Sequence, residues 1–449
     1  MPLALACHTA RLPELVPGDR SAYASFEVSA GGSANSWADG RAPLCLALAI
    51  DASSSMRGAR FALALQATRD VLASLGPQDR VAVVTFERQA QLVLSPTAFA
   101  EGGAAVARTA LDRIGTGVGT NLGAGWREAA DALLRVAVPD AVRRVLLLTD
   151  GYPSRGDTAL DVLRERVADG RARGVETSVL GLGDGIDDNL CAALAEAGQG
   201  RFHYVRDESG LADVVGAEVG GARSVAATDV TLTLAFTPRL ERAEVVHRYP
   251  CRGVEGGTEV RIGSVMRASP RSALVAFTMR DGTPDAMLGF ATAAGRVVQT
   301  AAAQLTAVGH GGNRSGDEAS AAQDRESVRV PIVFEAGSGT DAARRRVAVE
   351  LVTQRVLGEV RSAWNAADRG DHESLRRRLD RARSLRRRAL ETGLARSADV
   401  AHLPDIDALE RAMRSSGPAA GEARRQFRSL AHNTQLSLGE LPIPVAPKR

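Results

Sequence analysis

The chain has 449 residues, too many for one compact core, so two or three domains are expected. With 45% hydrophobic but only 4% aromatic residues, its interior must be built from Val, Leu, Ala and Ile, and base-stacking surfaces are not expected. The net charge of +3 is uneven: residues 342–449 hold 22 basic and 13 acidic side chains, which leaves residues 1–341 net acidic. The only lysine is Lys448, and this excludes a Walker A loop, whose lysine must touch the phosphates.

No apolar run approaches the roughly 20 residues that cross a bilayer, so no membrane span is expected. The four cysteines, Cys7, Cys45, Cys191 and Cys251, are far apart and form no C-x-x-C pair, which points away from a disulfide scaffold or thiolate zinc site. The opening Leu-Ala-Leu-Ala-Cys7 has the shape of a lipoprotein cleavage box, but its apolar stretch is short for a signal peptide and no basic segment precedes it. A cytoplasmic protein is therefore expected.

In chain order, Leu3–Leu12 and Ala22–Val28 read as strands by alternation. Strands are predicted at Leu44–Asp51, Arg80–Glu87, Gln91–Ser95, Arg143–Asp150, Glu176–Gly183 and Arg201–Val205. Helical spacing falls between them at Ala59–Leu75, Ala104–Ile114, Leu122–Val136, Ala159–Arg173, Asn189–Ala197 and Ser209–Val219. This alternation predicts an α/β fold with a doubly wound, mostly parallel sheet.

Past residue 225 the period returns to two, with Val230, Leu232, Leu234 and Phe236 on one face, and further short strands near 243–248, 258–264, 272–280, 286–293 and 329–335. Two N-terminal strands cannot bury a face alone. They are expected to pair with these later strands, so that the α/β unit sits inside one antiparallel β-sandwich. Residues 308–327, rich in Gly, Ser and charge, read as a mobile loop.

After Thr340 the helical period takes over. Val349, Val352, Val356, Val360 and Trp364 share one face, as do Leu375, Leu379, Ala382, Leu385 and Leu390; shorter helices are predicted at Asp405–Arg414 and Gly421–Leu430, and Pro442-Ile-Pro444 ends a small helical bundle. The expected divisions are 1–42 and 223–339 for the sandwich, 43–222 for the α/β domain and 340–449 for the helices.

The chemistry gathers at strand ends. Asp51-Ala52-Ser53-Ser54-Ser55 leads from a strand into a helix, and one carboxylate with two hydroxyls spaced by two can converge on a hard cation such as Mg²⁺, which takes oxygen ligands at about 2.1 Å. In an open α/β sheet such turns lie at the carboxyl ends of the strands, where ligands bind. Thr116-Gly-Val-Gly-Thr120 supplies a threonine on a glycine-rich loop, and Thr149-Asp150-Gly151 supplies a second carboxylate.

With these residues in place, the stretch of roughly 43–222 resembles a von Willebrand factor type A (VWA) domain with a metal-ion-dependent adhesion site. The D-x-S-x-S motif, the distant threonine and the aspartate before glycine occur in the family's order. The resemblance implies Asp51, Ser53, Ser55, Thr120 and Asp150 as metal ligands, with Mg²⁺ preferred and Mn²⁺ or Ca²⁺ as alternatives. It also implies a non-enzymatic interaction module in which a partner protein's Asp or Glu completes the coordination. Self-assembly into a homo-oligomer through the same position is one alternative; binding of acidic proteins or nucleic acid by the basic tail is another, although nucleic acid is not the expected partner.

Other features have plainer readings. Asp184-Gly-Ile-Asp187-Asp188-Asn189 lacks the spacing of an EF-hand and is expected to cap the next helix. Arg155-Gly156-Asp157 reads as a turn, with Asp157 or Thr158 at a helix start. Arg376–Arg378 and Arg386–Arg388 are expected to form a solvated face paired with Glu373, Asp380 and Glu391. His203 is expected in the core or at a sheet edge, and Cys45 and Cys191 as buried small hydrophobes. There is no G-x-S-x-G elbow, and D-x-S-x-S lacks the second carboxylate of a D-x-D phosphotransferase.

Overall fold

The computed structural model describes residues 3–16, 21–30, 43–99, 103–138, 141–207, 211–238, 240–267, 269–279, 286–297, 325–334, 341–415 and 418–437. It opens with strands β1 (Leu3–Arg11) and β2 (Ala22–Ala30). An α/β unit follows: β3 (Leu44–Asp51), α1 (Ala59–Ser74), β4 (Arg80–Phe86), β5 (Ala90–Ala98), α2 (Gly103–Leu111), α3 (Leu122–Leu134), β6 (Val142–Thr149), α4 (Leu160–Ala172), β7 (Val175–Leu182), α5 (Asp188–Ala197), β8 (Gln199–Val205) and α6 (Leu211–Arg223). Seven strands come next: β9 (Val225–Phe236), β10 (Leu240–Val245), β11 (Cys251–Val254), β12 (Gly257–Met266), β13 (Arg271–Met279), β14 (Ala286–Val297) and β15 (Arg325–Phe334). Helices α7 (Asp341–Asp368), α8 (His372–Glu391), α9 (Ile406–Arg414) and α10 (Pro418–Ser437) complete the described chain.

The α/β sheet has the order β5-β4-β3-β6-β7-β8 and is parallel except at β5, which runs antiparallel to β4. All eight residues of β3 are buried, as a central strand covered on both faces requires. Its alternation divides the core. Leu44, Leu46, Leu48 and Ile50 pack under α1, α2 and α6, and Cys45, Ala47 and Ala49 face α3, α4 and α5. The register sets Asp51 opposite Phe86, so β3 and β4 release their turns at one sheet edge.

β1 and β2 join β13 and β10 in a four-stranded sheet, while β11, β12, β9, β14 and β15 form a second sheet. The expected pairing of N-terminal with later strands is met by β2 against β13, with Val28 opposite Arg271. Phe277 fills the space between the sheets, edge-on to Phe236 and Phe334 at centroid distances of 5.9 and 6.0 Å. The α/β unit is thus inserted into an antiparallel sandwich. β11 lacked a sequence signal because its four residues are mostly exposed and carry no apolar alternation. Most of the expected 308–327 loop lies outside the described residues, but residues 325–327 belong to β15. Pro442-Ile-Pro444 also lies outside them.

The buried face of α7, with Val349, Val352, Val356, Val360 and Trp364, packs on the outer side of the four-stranded sheet through Tyr23 and Leu274. In α8 the predicted face holds for Leu375, Leu379 and Ala382, with Leu385 half-buried on the same core, but Leu390 is exposed and Ala389, two helical turns after Ala382, takes the buried place. The arginine clusters are paired in part as expected, Arg377 with Glu373 and Arg387 with Glu391. Asp380 instead pairs with Arg383, which lies outside both clusters and also bonds Asp407 and Glu410, and Arg378 pairs with Glu359 of α7. Asp187 caps α5 by accepting from Leu190 N. Helix α4 begins later than expected. Ala159 is its N-cap, and Asp157 pairs with Arg166 rather than capping.

The α10 helix reaches back to the α/β sheet. The Asn433 amide nitrogen donates to Phe202 O at 2.9 Å, its amide oxygen accepts from Phe202 N at 3.2 Å, and His432 Nε2 lies 2.9 Å from Gly200 O. The outer edge of β8 is thereby closed by side chains that take a neighbouring strand's place.

Candidate metal centre

The five predicted residues sit on three turns at the carboxyl edge of the α/β sheet. Asp51 is the last residue of β3 and is fully buried. Its Oδ1 accepts from Ser53 N at 2.9 Å and its Oδ2 from Thr149 Oγ1 at 2.6 Å, which fixes the carboxylate and leaves further lone pairs on each oxygen. Ser53 is buried and Ser55 exposed, with their hydroxyl oxygens 3.0 Å apart.

Asp150 follows β6 and is also fully buried. Its Oδ2 accepts from Arg60 Nη1 at 3.2 Å, whereas Oδ1 is buried with no hydrogen-bond partner. Its carbonyl accepts from Asp187 N at 2.9 Å, and Gly151, at φ +82°, makes the turn that lets its own N–H bond Thr149 Oγ1. Burial pushes the Asp51 carboxyl up to about 6, against its bonds from Ser53 and Thr149 and together with the nearby Asp150 charge.

Thr120 is buried at the end of the glycine-rich loop. Gly117 N donates to Ala52 O at 2.7 Å, which ties the loop to the D-x-S-x-S turn, and Thr120 N donates to Ser154 Oγ at 3.0 Å. The loop is also held by Glu87, whose Oε2 accepts from Val118 N at 2.7 Å and whose carbonyl accepts from Asn121 N at 2.6 Å. A Cβ on Gly117 would overlap that Glu87 carboxylate.

Three residues that serve the site were not singled out from the sequence. Thr149 orients Asp51, Glu87 pins the threonine loop, and Arg60 neutralises one oxygen of Asp150. Thr149 could have been found by position, as the polar residue that ends β6 beside Asp150. Among the described residues no group of three His, Cys, Asp or Glu stands together, as befits a donor set rich in hydroxyls. The set itself, two buried carboxylates with one oxygen orphaned and three hydroxyls, fits a hard divalent cation. Val118 and Tyr152, both at least half exposed, stand on the turns beside it. No helix among the described residues is long and apolar enough to cross a membrane.

Comparison with known proteins bears on the fold. The family model for the von Willebrand factor type A domain matches residues 46–217. A solved structure named as von Willebrand factor type A from Catenulispora acidiphila superposes over 96% of both chains with a TM-score of 0.66 at 17% identity. The ArnB paralog VWA2 from Sulfolobus acidocaldarius superposes over 97% of this chain and 98% of its own, with a TM-score of 0.58 at 15% identity. At these identities the likeness establishes the fold alone. An uncharacterized protein of Synechocystis is 29% identical over 46% of this chain and 48% of its own length. A protein of Arabidopsis thaliana named the E3 ubiquitin-protein ligase WAV3 is 25% identical over 52% of this chain and 31% of its own. The chain therefore spans about half the length, or less, of these curated relatives. Residues 46–217 form a VWA domain, here set within a β-sandwich and followed by α-helices.

Proposed function

We propose that this protein is a metal-dependent protein-interaction module in which Asp51, Ser53, Ser55, Thr120 and Asp150 hold a divalent cation, Mg²⁺ in preference to Mn²⁺ or Ca²⁺. The observation that carries the reading is Asp150 Oδ1, a buried carboxylate oxygen without a partner, on the same sheet edge as the oriented Asp51. An unsatisfied buried carboxylate oxygen is costly, and a cation removes that cost. When bound there, the ion offers an open coordination position to an acidic oxygen of a partner protein. The chain's own residues orient the donors and, through Val118 and Tyr152, present apolar surface beside them.

Adhesion-type binding as an adaptor or assembly component suits this arrangement, in which the carboxylates and hydroxyls serve as donors to the ion. All four cysteines are unpaired, which supports a reducing, cytoplasmic setting. Titration calorimetry with Mg²⁺ tests the metal reading: wild type binds, and Asp150→Asn and Asp51→Ala do not. Equal affinity in all three proteins would overturn it. A pull-down with and without chelator then separates a foreign partner from a second copy of this chain.

A further inference from the structure

The two edges of the α/β sheet are treated differently. α10 closes β8, as described, whereas no strand pairs with the outer edge of β5 among the described residues. An open groove of about 920 Å³ runs between that edge and α2. Consecutive residues Gln89–Leu94 line one wall, so the edge of the strand borders the groove, together with Thr85 of β4 from the sheet's face. Val106, Ala110 and Arg113 line the other wall, and Val106 is 54% exposed.

The groove reaches the turns that carry the metal centre, although none of the five donors lines it. Ala52, Glu87, Thr116 and Gly117 form its near end, and Gly117 N is bonded to Ala52 O. Register shifts interrupt the β4–β5 ladder beyond Leu92, and Pro96 removes one backbone donor, so the regular edge is the Ala90–Leu92 segment next to the metal centre. The far end is blunted against strand pairing, while the near end remains a template for it.

Charge selects the occupant. Arg113 is exposed, with no carboxylate paired to it among the described residues, and Arg57 sits at the same mouth with its Nε 3.2 Å from Thr116 Oγ1. We propose that the groove binds an extended acidic segment of a partner protein, which adds as a strand along Ala90–Leu92 while its carboxylate reaches the metal centre and an apolar side chain covers Val106. This rests on the metal reading above and specifies the partner's conformation.

The probe is a library of random decapeptides with a fixed central glutamate, selected on the full chain in Mg²⁺ and measured by fluorescence anisotropy. Selected peptides are expected to weaken at least tenfold with Val106→Glu, which sets a like charge against the acidic segment at an exposed position without disturbing the core. They are expected to weaken similarly when backbone N-methyl groups are placed at alternate residues flanking the glutamate. Retention of Mg²⁺-dependent binding through both changes would overturn the groove proposal and leave the metal reading standing. Binding that survives both chelator and Asp51→Ala would overturn the metal reading and, with it, this one. A library that yields no Mg²⁺-dependent binder, or dimerisation of the chain that Val106→Glu abolishes, also overturns the proposal, and calorimetry with Mg²⁺ alone still decides the metal reading.

Discussion

Arg60 Nη1 lies 3.2 Å from Asp150 Oδ2, so a guanidinium already shares the carboxylate whose other oxygen is orphaned. Arg60 also donates to Ser55 O and Asp184 O, which anchors it across the site. A fixed positive charge this close competes with a divalent cation. Replacing it with a neutral side chain, Arg60→Gln, is expected to tighten Mg²⁺ binding by roughly three- to tenfold, the effect of one partly solvated charge at short range. Calorimetric Mg²⁺ titration at constant ionic strength checks this, and weaker binding in the variant would show that Arg60 organises the site more than it opposes the ion.

Gly117 is expected to be sensitive for a different reason. Gly117→Ala puts a methyl group where the Glu87 carboxylate now lies, and Glu87 must release Val118 N to make room. Loss of that charge-assisted bond frees the loop that carries Thr120. Mg²⁺ affinity should fall about tenfold, since such a bond contributes about 1.5–3 kcal/mol. The denaturation midpoint should move little, because the loop is peripheral to the core; a large fall in stability would contradict this assignment.

The Asn433–Phe202 clamp predicts a stability effect remote from the metal. Asn433→Leu removes two of the three side-chain bonds to the Phe202 backbone at the β8 edge, leaving Ser429 Oγ to donate to Phe202 O at 2.8 Å. The abandoned N–H should therefore account for most of a loss of about 1–3 kcal/mol in urea unfolding. Faster amide exchange in β8, with Mg²⁺ affinity unchanged, would confirm that α10 acts as an edge cover.

A buried ionic network joins the α/β unit to the sandwich. Arg144 bonds Glu176 and Glu218, His203 Nε2 lies 2.8 Å from Glu218 Oε1, and Ser264 of β12 donates to Glu176. Burial alone would raise the Glu218 carboxyl, but the bond from His203 and the Arg144 guanidinium outweigh it and bring it down to about 2. Its contribution is full above the ordinary glutamate value of 4.5 and is lost as pH falls from there toward 2. Arg144→Met strands two buried carboxylates and should cost about 3–5 kcal/mol, with the loss reduced in acid, where they protonate. Urea unfolding at several pH values measures both effects.

Two buried histidines set the stability profile at milder pH. Burial lowers His247 to about 3 and His432 to about 4, from an ordinary 6.5. Above 6.5 neither state binds these protons; below it the unfolded chain takes them up and the folded chain does not, so stability declines as pH drops toward 4. Each group adds at most about 1.4 kcal/mol per pH unit to that slope. His247→Gln, whose amide oxygen can replace Nδ1 as acceptor for Leu274 N, should flatten the slope between pH 6 and pH 4 by about that amount. An unchanged slope would mean that His247 is not held neutral.

The alternation of apolar runs identified the central strands, because a strand buried on both faces leaves a continuous hydrophobic record, as Leu44–Ile50 does. The D-x-S-x-S turn, Thr120 and Asp150 were legible for a similar reason, since strand ends in such a sheet share one edge and their chemistry is written in local motifs. Glu87 and Arg60 were not, because each acts through a bond to a residue 31 or 90 positions away, and nothing local marks it. The same holds for the closure of β8 by Asn433, which spans 231 residues and depends on where α10 lands. Local periodicity and turn chemistry fixed the elements and the donor types. Long-range packing alone decided which sheet edge would be sealed, which would stay open, and how the donors are held.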